Sequence, residues 1–248
     1  MTRFRPLLLT AAVALTVLAP AARAQTPAFN DTQRRAIEEV VRDYLVKHPE
    51  VIIEAIDELQ KRERADTAAK QKDALSAHRQ KIFQDPASPV GGNPQGDVTV
   101  VEFFDYQCGY CKAVVGDVAT LLKSDGKVRF VYKEFPILGP ASLTAAKAAL
   151  AARAQDKYEP LHNALMAHKG QLDDAKIYQI AASAGLDVER LKKDMATPEV
   201  EQALGANHAL AEALGIRGTP AFVVGNELVP GAIKLDEMKR LVAQARKG

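Results

Sequence analysis

The chain has 248 residues, 33 of them Lys or Arg and 31 Asp or Glu, and a formal charge of +2 carries no electrostatic footprint for nucleic acid. At 47% hydrophobic and 26% charged residues, the composition excludes wholesale disorder and a polytopic membrane protein. Two cysteines and no tryptophan exclude a disulfide scaffold and a four-thiolate zinc site, so whatever the cysteines do, they do as one pair.

The N-terminus reads as an export signal. Arg3 and Arg5 precede an apolar stretch from Leu7 to Leu18, and Pro20 and Ala22-Arg23-Ala24 follow it, the order of a charged region, a short apolar region and a small-residue cleavage site. Twelve apolar residues fall short of the roughly 20 that span hydrocarbon, so residues 1–24 are expected to be a signal peptide cleaved after Ala24 rather than a membrane anchor. Removing Arg3, Arg5 and Arg23 with it turns the net charge slightly negative. Export places the cysteines where disulfides persist. Joining two cysteines three residues apart constrains the unfolded chain very little, so the pair is explained by chemistry rather than by stapling.

Residues 25–84 are read as a helical arm and spacer. Asn30 is a helix N-cap with Gln33 at the third helical position, and Ile37, Val40, Val41, Tyr44 and Leu45 recur on one face. Pro49 suits the first turn of a second helix, whose apolar positions Ile52, Ile56 and Leu59 continue the stripe. Between Lys61 and Arg79 the stripe is reduced to alanines and Leu75. A segment with so little apolar surface does not fold alone; it packs on the rest of the chain or serves as an oligomerisation arm, and the second reading is the expectation.

A Pro/Gly cluster from Asp85 to Asp97 marks the boundary of a catalytic domain spanning 85–248. Within it, 98–104 reads as a buried strand, 112–123 as a helix and 128–135 as a second strand, which together make a right-handed crossover unit. Residues 140–214 lack strand signals and predict four or five helices. Residues 221–224 and 227–229 flank Gly225-Asn226, a two-residue hairpin signal of type II′, and 235–245 closes the chain as an amphipathic helix. The order describes an α/β thioredoxin fold with a helical insertion at about 140–214, preceded by the arm.

Cys108-Gly109-Tyr110-Cys111 falls where the first strand gives way to a helix. A helix N-terminus stabilises a thiolate, so Cys108 is the expected nucleophile and Cys111, one turn in, the thiol that resolves a mixed disulfide. The alternatives are a tight structural disulfide or half of a metal site; the five histidines are dispersed, and neither a metal nor a cofactor is expected. Glu102 is an acid in an apolar strand. If buried, it has a raised pKa and exchanges protons with Cys111; if it faces solvent, it does neither. Gly218-Thr219-Pro220 precedes the third strand, where proline is tolerated mainly at the first position or in a tight turn.

The runs Val-Glu-Phe-Phe-Asp-Tyr-Gln-Cys-Gly-Tyr-Cys-Lys (101–112), Tyr-Lys-Glu-Phe-Pro (132–136) and Gly-Thr-Pro-Ala-Phe (218–222) resemble the DsbA-like thioredoxin-fold thiol:disulfide oxidoreductases. Residues 43–55 further resemble the arm of ScsC-type periplasmic proteins, a subgroup implicated in disulfide isomerisation and copper tolerance. The resemblance implies an exposed nucleophile at Cys108, a resolving thiol at Cys111, a buried acid at Glu102 and a cis bond before Pro220. Gly109, Tyr110, Thr219 and Pro220 would line the substrate site, and Lys133 would ion-pair with Glu102 if their strands are neighbours. Gly-Tyr between the cysteines and Thr before the proline stand where the strongly oxidising members carry Pro-His and Val. The expectation is therefore a periplasmic isomerase or reductase acting on cysteine-containing exported proteins, reduced by a membrane thiol reductase and assembled as a homo-oligomer. A dithiol oxidase is the same-class alternative, and a holdase or copper-binding envelope protein the alternative of a different class.

Overall fold

The structure, a computed structural model, describes residues 29–247; the expected signal peptide and its cleavage after Ala24 lie outside the described residues. The chain divides into two compact units at Gln60.

The first unit holds α1 (Asp31–Lys47) and the start of α2 (Glu50–Ala77). Asn30 caps α1 reciprocally with Gln33: the Gln33 amide donates to the Asn30 side chain at 2.8 Å, and the Asn30 amide donates to the Gln33 side chain at 3.1 Å. No residue of α1 is buried, and Ile37, Val40, Tyr44, Ile52, Ile56 and Leu59 are all exposed.

The second unit takes in the rest of α2 together with α3 (Arg79–Phe83), β1 (Val90–Gly92), β2 (Val98–Phe104), α4 (Gly109–Ser124) and β3 (Val128–Glu134). The insertion follows as α5 (Pro140–Ala151), a short 3-10 turn, α6 (Tyr158–Ala167), α7 (Asp174–Ser183), α8 (Val188–Asp194) and α9 (Pro198–Ala213), and β4 (Ala221–Val224), β5 (Glu227–Pro230) and α10 (Leu235–Ala245) close the chain. The sheet order is β1-β3-β2-β4-β5, with β2 and β3 parallel and the other neighbours antiparallel. Gly225 carries the positive φ of 60° that opens the β4–β5 turn, as a II′ hairpin requires.

Successive strand residues face opposite sides of the sheet, and each side has its own core. Val100, Phe104, Phe130 and Phe222 pack with α4, α10 and the insertion helices. Val101, Phe103, Val131 and Val223 pack with Leu75, Ile82 and Leu210. Leu75 and Ile82 explain why the compact units divide at Gln60 and not at the sequence boundary of 84/85: the last turns of α2 and all of α3 bury an apolar edge on the sheet. The sequence reading also passes over β1, hidden in the Pro/Gly cluster. It pairs with β3 because Gly91 has no side chain; a Cβ there would lie 2.9 Å from the Tyr132 ring.

Lys133 does not pair with Glu102. Glu102 is opposite Tyr132 in the parallel register while Lys133 is opposite Phe103, so the two side chains emerge on different faces. The Lys133 ammonium instead meets Asp85 at 2.7 Å, with the lysine side chain 1% exposed. Burial pushes the Lys133 pKa down, partly offset by Asp85. Burial raises that of Asp85, but its bonds to Lys133, Ser88 and the Ala87 amide outweigh this and leave it below the ordinary value. Asp85→Asn strands a buried ammonium, and the expected loss is about 3 kcal/mol in urea unfolding, at the low end for broken buried pairs because water reaches Asp85. The double variant Asp85→Asn/Lys133→Met is expected to recover most of it.

Candidate active site

Five segments build the site: the end of β2, the loop 105–107, the first turn of α4, the chain around Thr219 and the turn after β3. Cys108 is the N-cap of α4 in extended conformation (φ −73°, ψ 112°), and its sulfur accepts a hydrogen bond from the Cys111 amide at 3.2 Å. The sulfur takes the position usually held by a Ser or Asp oxygen, at the positive end of the helix. The Cys108 thiol donates in turn to the Thr219 carbonyl at 3.2 Å. The Thr219–Pro220 bond is cis.

These contacts separate the two thiols. Hydrogen bonding to the Cys111 side chain lowers the Cys108 pKa first; burial opposes it, and bonds from the Thr219 side chain and from the Cys111 and Tyr110 amides assist, bringing the group from 9 to about 6. Cys111, fully buried, is held well above the ordinary thiol range by its hydrogen bond to Cys108 and by burial, with the charges of Glu102 and Cys108 adding to the effect. One cysteine is thus a thiolate at neutral pH and the other a thiol. No disulfide joins Cys108 and Cys111 in the structure.

Glu102 is 5% exposed, which removes the solvent-facing alternative. Its Oε1 has no hydrogen-bond partner, and burial followed by the Cys108 charge lifts its pKa from 4.5 to about 8. It is a poised acid that senses the nucleophile.

The structure brings together Cys108, Cys111, Glu102 and Thr219. Gly109 and Tyr110 lie on the exposed rim, with Tyr110 73% exposed. Cys108 departs from the expected exposed nucleophile: it is only 5% exposed, because the Thr219 carbonyl and the helix turn close over the sulfur. Pro220 is buried, and a cavity of about 290 Å³ runs beside 215–221 to Leu228 and Pro230.

Sequence reasoning passed over the loop ahead of Cys108. The Asp105 carboxylate accepts hydrogen bonds from the amides of Gln107 (2.7 Å), Ile137 (2.9 Å) and Leu138 (3.0 Å) and from the Ser142 hydroxyl (2.7 Å). The Cys108 amide donates to the Asp105 carbonyl at 3.1 Å. An acid at the end of an apolar strand, three residues before the nucleophile, was the available signal.

Comparison with known proteins agrees with this geometry. The DsbA-like thioredoxin domain matches residues 99–243, and the copper resistance protein ScsC N-terminal domain matches residues 33–66. A thioredoxin-like oxidoreductase from Silicibacter pomeroyi DSS-3 is 49% identical, with 68% of this chain and 98% of that chain covered and a TM-score of 0.68. ScsC of Proteus mirabilis in a transitional conformation is 32% identical, with 90% and 99% covered and a TM-score of 0.65. The chain spans about a quarter of the length of the curated relatives it matches, such as the Na(+)/H(+) antiporter NhaA 1 of Salinispora arenicola, 29% identical over 161 residues, which are 64% of this chain and 25% of that protein.

Proposed function

Because the chain belongs to the DsbA-like thioredoxin family, in its ScsC-type branch, we propose that it is an exported disulfide isomerase or reductase whose substrates are cysteine-containing envelope proteins. The observation that carries the chemistry is the Cys108 sulfur capping α4, a thiolate at neutral pH, beside a buried Cys111 thiol and the buried Glu102 carboxyl with its unpartnered Oε1.

The Cys108 thiolate attacks one sulfur of a substrate disulfide. The new Cys108–substrate bond forms as the substrate's own S–S bond breaks, and the second substrate sulfur leaves as a thiolate that takes a proton from water. In isomerisation, another substrate thiolate attacks the mixed disulfide, forms a new substrate disulfide and returns the Cys108 thiolate. In reduction, Glu102 as carboxylate takes the Cys111 proton, the Cys111 sulfur attacks Cys108, and the substrate leaves reduced while the Cys108–Cys111 disulfide forms. A membrane thiol reductase would then restore the dithiol.

Support for isomerase over oxidase comes from the Gly109-Tyr110 dipeptide, from Thr219 and from the arm. A row of exposed Ile, Val, Leu and Tyr on α1 and the start of α2 is apolar surface of the kind that a second copy covers, and joined catalytic units can hold a multiply bridged substrate through several exchanges. The lowered Cys108 pKa favours the alternative, a dithiol oxidase, since it stabilises the reduced form. Light scattering of the chain from Gln25 is expected to give an oligomer and a version beginning at Lys61, which keeps the catalytic core, a monomer. The shorter version should retain exchange with a small dithiol while isomerising a scrambled protein about tenfold more slowly or worse. A monomer that isomerises as fast as the full chain removes the arm from the function. A reduction potential near ~ −120 mV without isomerase activity would favour the oxidase.

A further inference from the structure

Beneath the loop that delivers Cys108 lies a buried polar cluster that thiol exchange does not use. Tyr106 is 1% exposed, Glu134 1% and His162 4%. The Tyr106 hydroxyl donates to Glu134 Oε1 at 2.9 Å, and the Tyr158 hydroxyl donates to the same oxygen at 2.9 Å. Tyr106 Oη also lies 3.1 Å from His162 Nδ1. A hydroxyl has one proton. With that of Tyr106 directed at Glu134, the third bond is completed by His162 in the tautomer that carries its proton on Nδ1. The Asn207 side chain donates to the Glu134 carbonyl at 3.1 Å, so the backbone at the end of β3 is tied to α9 as well.

Burial biases the cluster toward its uncharged forms. Burial raises the Glu134 carboxyl well above the ordinary range, and burial brings His162 down to about 3. Neutral hydrogen bonds in a dry interior are individually strong, and each group left without one is costly. Phe104, Tyr132 and Tyr158 enclose the His162 ring, with centroids 5.0, 4.6 and 5.8 Å away, so the imidazole cannot swing aside to release Tyr106.

We propose that Tyr106 and Glu134 are positioning residues for Cys108, which hold the loop ahead of the nucleophile on a single path by bonding it to α6 and to the end of β3. The proposal rests on the thiol-exchange reading. Its basis is the chain order: Asp105 fastens the loop to the turn before α5, Tyr106 fastens it to β3 and α6, and Cys108 follows two residues later. The bonds that stabilise the Cys108 thiolate come from Cys111 and Tyr110 on α4 and from the Thr219 side chain ahead of β4. They form only if Cys108 enters the helix from one direction, and the helical insertion supplies the other side of that constraint.

The test titrates Cys108 in the full-length protein by ultraviolet thiolate absorbance, alongside melting temperature, in Tyr106→Phe, Glu134→Ala and Glu134→Gln. Tyr106→Phe keeps the ring and removes one hydroxyl, so it tests the bond without opening a cavity. The expected result is a rise in the Cys108 pKa of about half a unit or more in Tyr106→Phe and Glu134→Ala, which cuts the thiolate population at pH 6 about twofold. Glu134→Gln keeps an oxygen that accepts from both hydroxyls and is expected to titrate like the wild type. A role in stability alone would lower the melting temperature of Tyr106→Phe and Glu134→Ala and leave Cys108 titrating as before; that result overturns the proposal. So does a Glu134→Gln shift as large as that of Glu134→Ala. Should Glu134→Ala fail to fold, Tyr106→Phe decides. If the titration moves as expected while the wild type neither isomerises nor reduces protein disulfides, the positioning role stands and the functional reading falls.

Discussion

Cys111→Ser is expected to accumulate a covalent complex with its substrates, and Cys108→Ser to form none. The difference follows from the two environments. The Cys108 thiolate, with a pKa of about 6, attacks whether or not Cys111 is present, so removing the resolving thiol leaves the mixed disulfide with no intramolecular exit. A serine at 108 retains the N-cap geometry but is no nucleophile toward sulfur at neutral pH, and Cys111, buried and held as a thiol, cannot take over. Non-reducing electrophoresis against a protein with one accessible disulfide reads both outcomes, and a Cys108→Ser complex would transfer the nucleophile's role to Cys111. The rate with a small disulfide is expected to be flat above pH 7 and to fall about tenfold per unit below pH 6, as the thiolate is protonated.

Glu102→Gln is expected to stabilise the protein and slow its resolving step at once. Glu102 ionises near 4.5 in an unfolded chain and at about 8 in the fold. Between those values the folded state holds a proton that the unfolded state has lost, so stability falls as pH rises through that window and the whole penalty is present above pH 8. At pH 7 the cost is about 3 kcal/mol, at 1.36 kcal/mol per unit. Glutamine carries no such penalty but brings an amide that needs partners at every pH, at about 1 kcal/mol, so the expected gain is about 2 kcal/mol at pH 7 and turns into a loss of about 1 kcal/mol below pH 4. Parallel urea titrations at the two pH values measure it; an equal effect at both would mean that Glu102 ionises normally. The same substitution removes the acceptor for the Cys111 proton, and resolution of the mixed disulfide is expected to slow about 100-fold. A faster or unchanged resolving step would assign that proton to solvent.

The strands and the redox pair were legible in the sequence because their signals are local. The β-branched run 98–104, the Gly225-Asn226 hairpin and the periodic helix 235–245 each carry their pattern within a few residues, and Asn30 announces its helix through Gln33. What the sequence did not disclose depends on register. Lys133 and Glu102 sit on neighbouring strands, yet an offset of one residue puts them on opposite faces, and the lysine's partner is 48 residues away in a segment that reads as a linker. β1 was hidden because the glycines that break the strand pattern are the ones that admit the Tyr132 ring. The cluster of Tyr106, Glu134, Tyr158 and His162 escaped notice for the same reason: its members are spread over 56 residues and meet only after the insertion folds back on the sheet. The burial of Cys108 is set by a carbonyl 111 residues downstream, which no inspection of the cysteine motif reveals.

The sulfur cap on α4 also makes the helix a redox gauge. A thiol whose pKa falls on folding stabilises the fold fully above its unfolded value of 9 and loses that contribution as pH falls through about 6. At pH 7 about 1 kcal/mol of that contribution remains once water near the sulfur is allowed for. That contribution exists only while Cys108 is reduced, because a sulfur in a disulfide bears no charge to cap the helix. Oxidation therefore forfeits that stabilisation of the first turn of α4, and for a two-electron couple about 1 kcal/mol corresponds to about 20 mV of oxidising drive. Electrons held on Cys108 are in part stored as the folding energy of one helical turn.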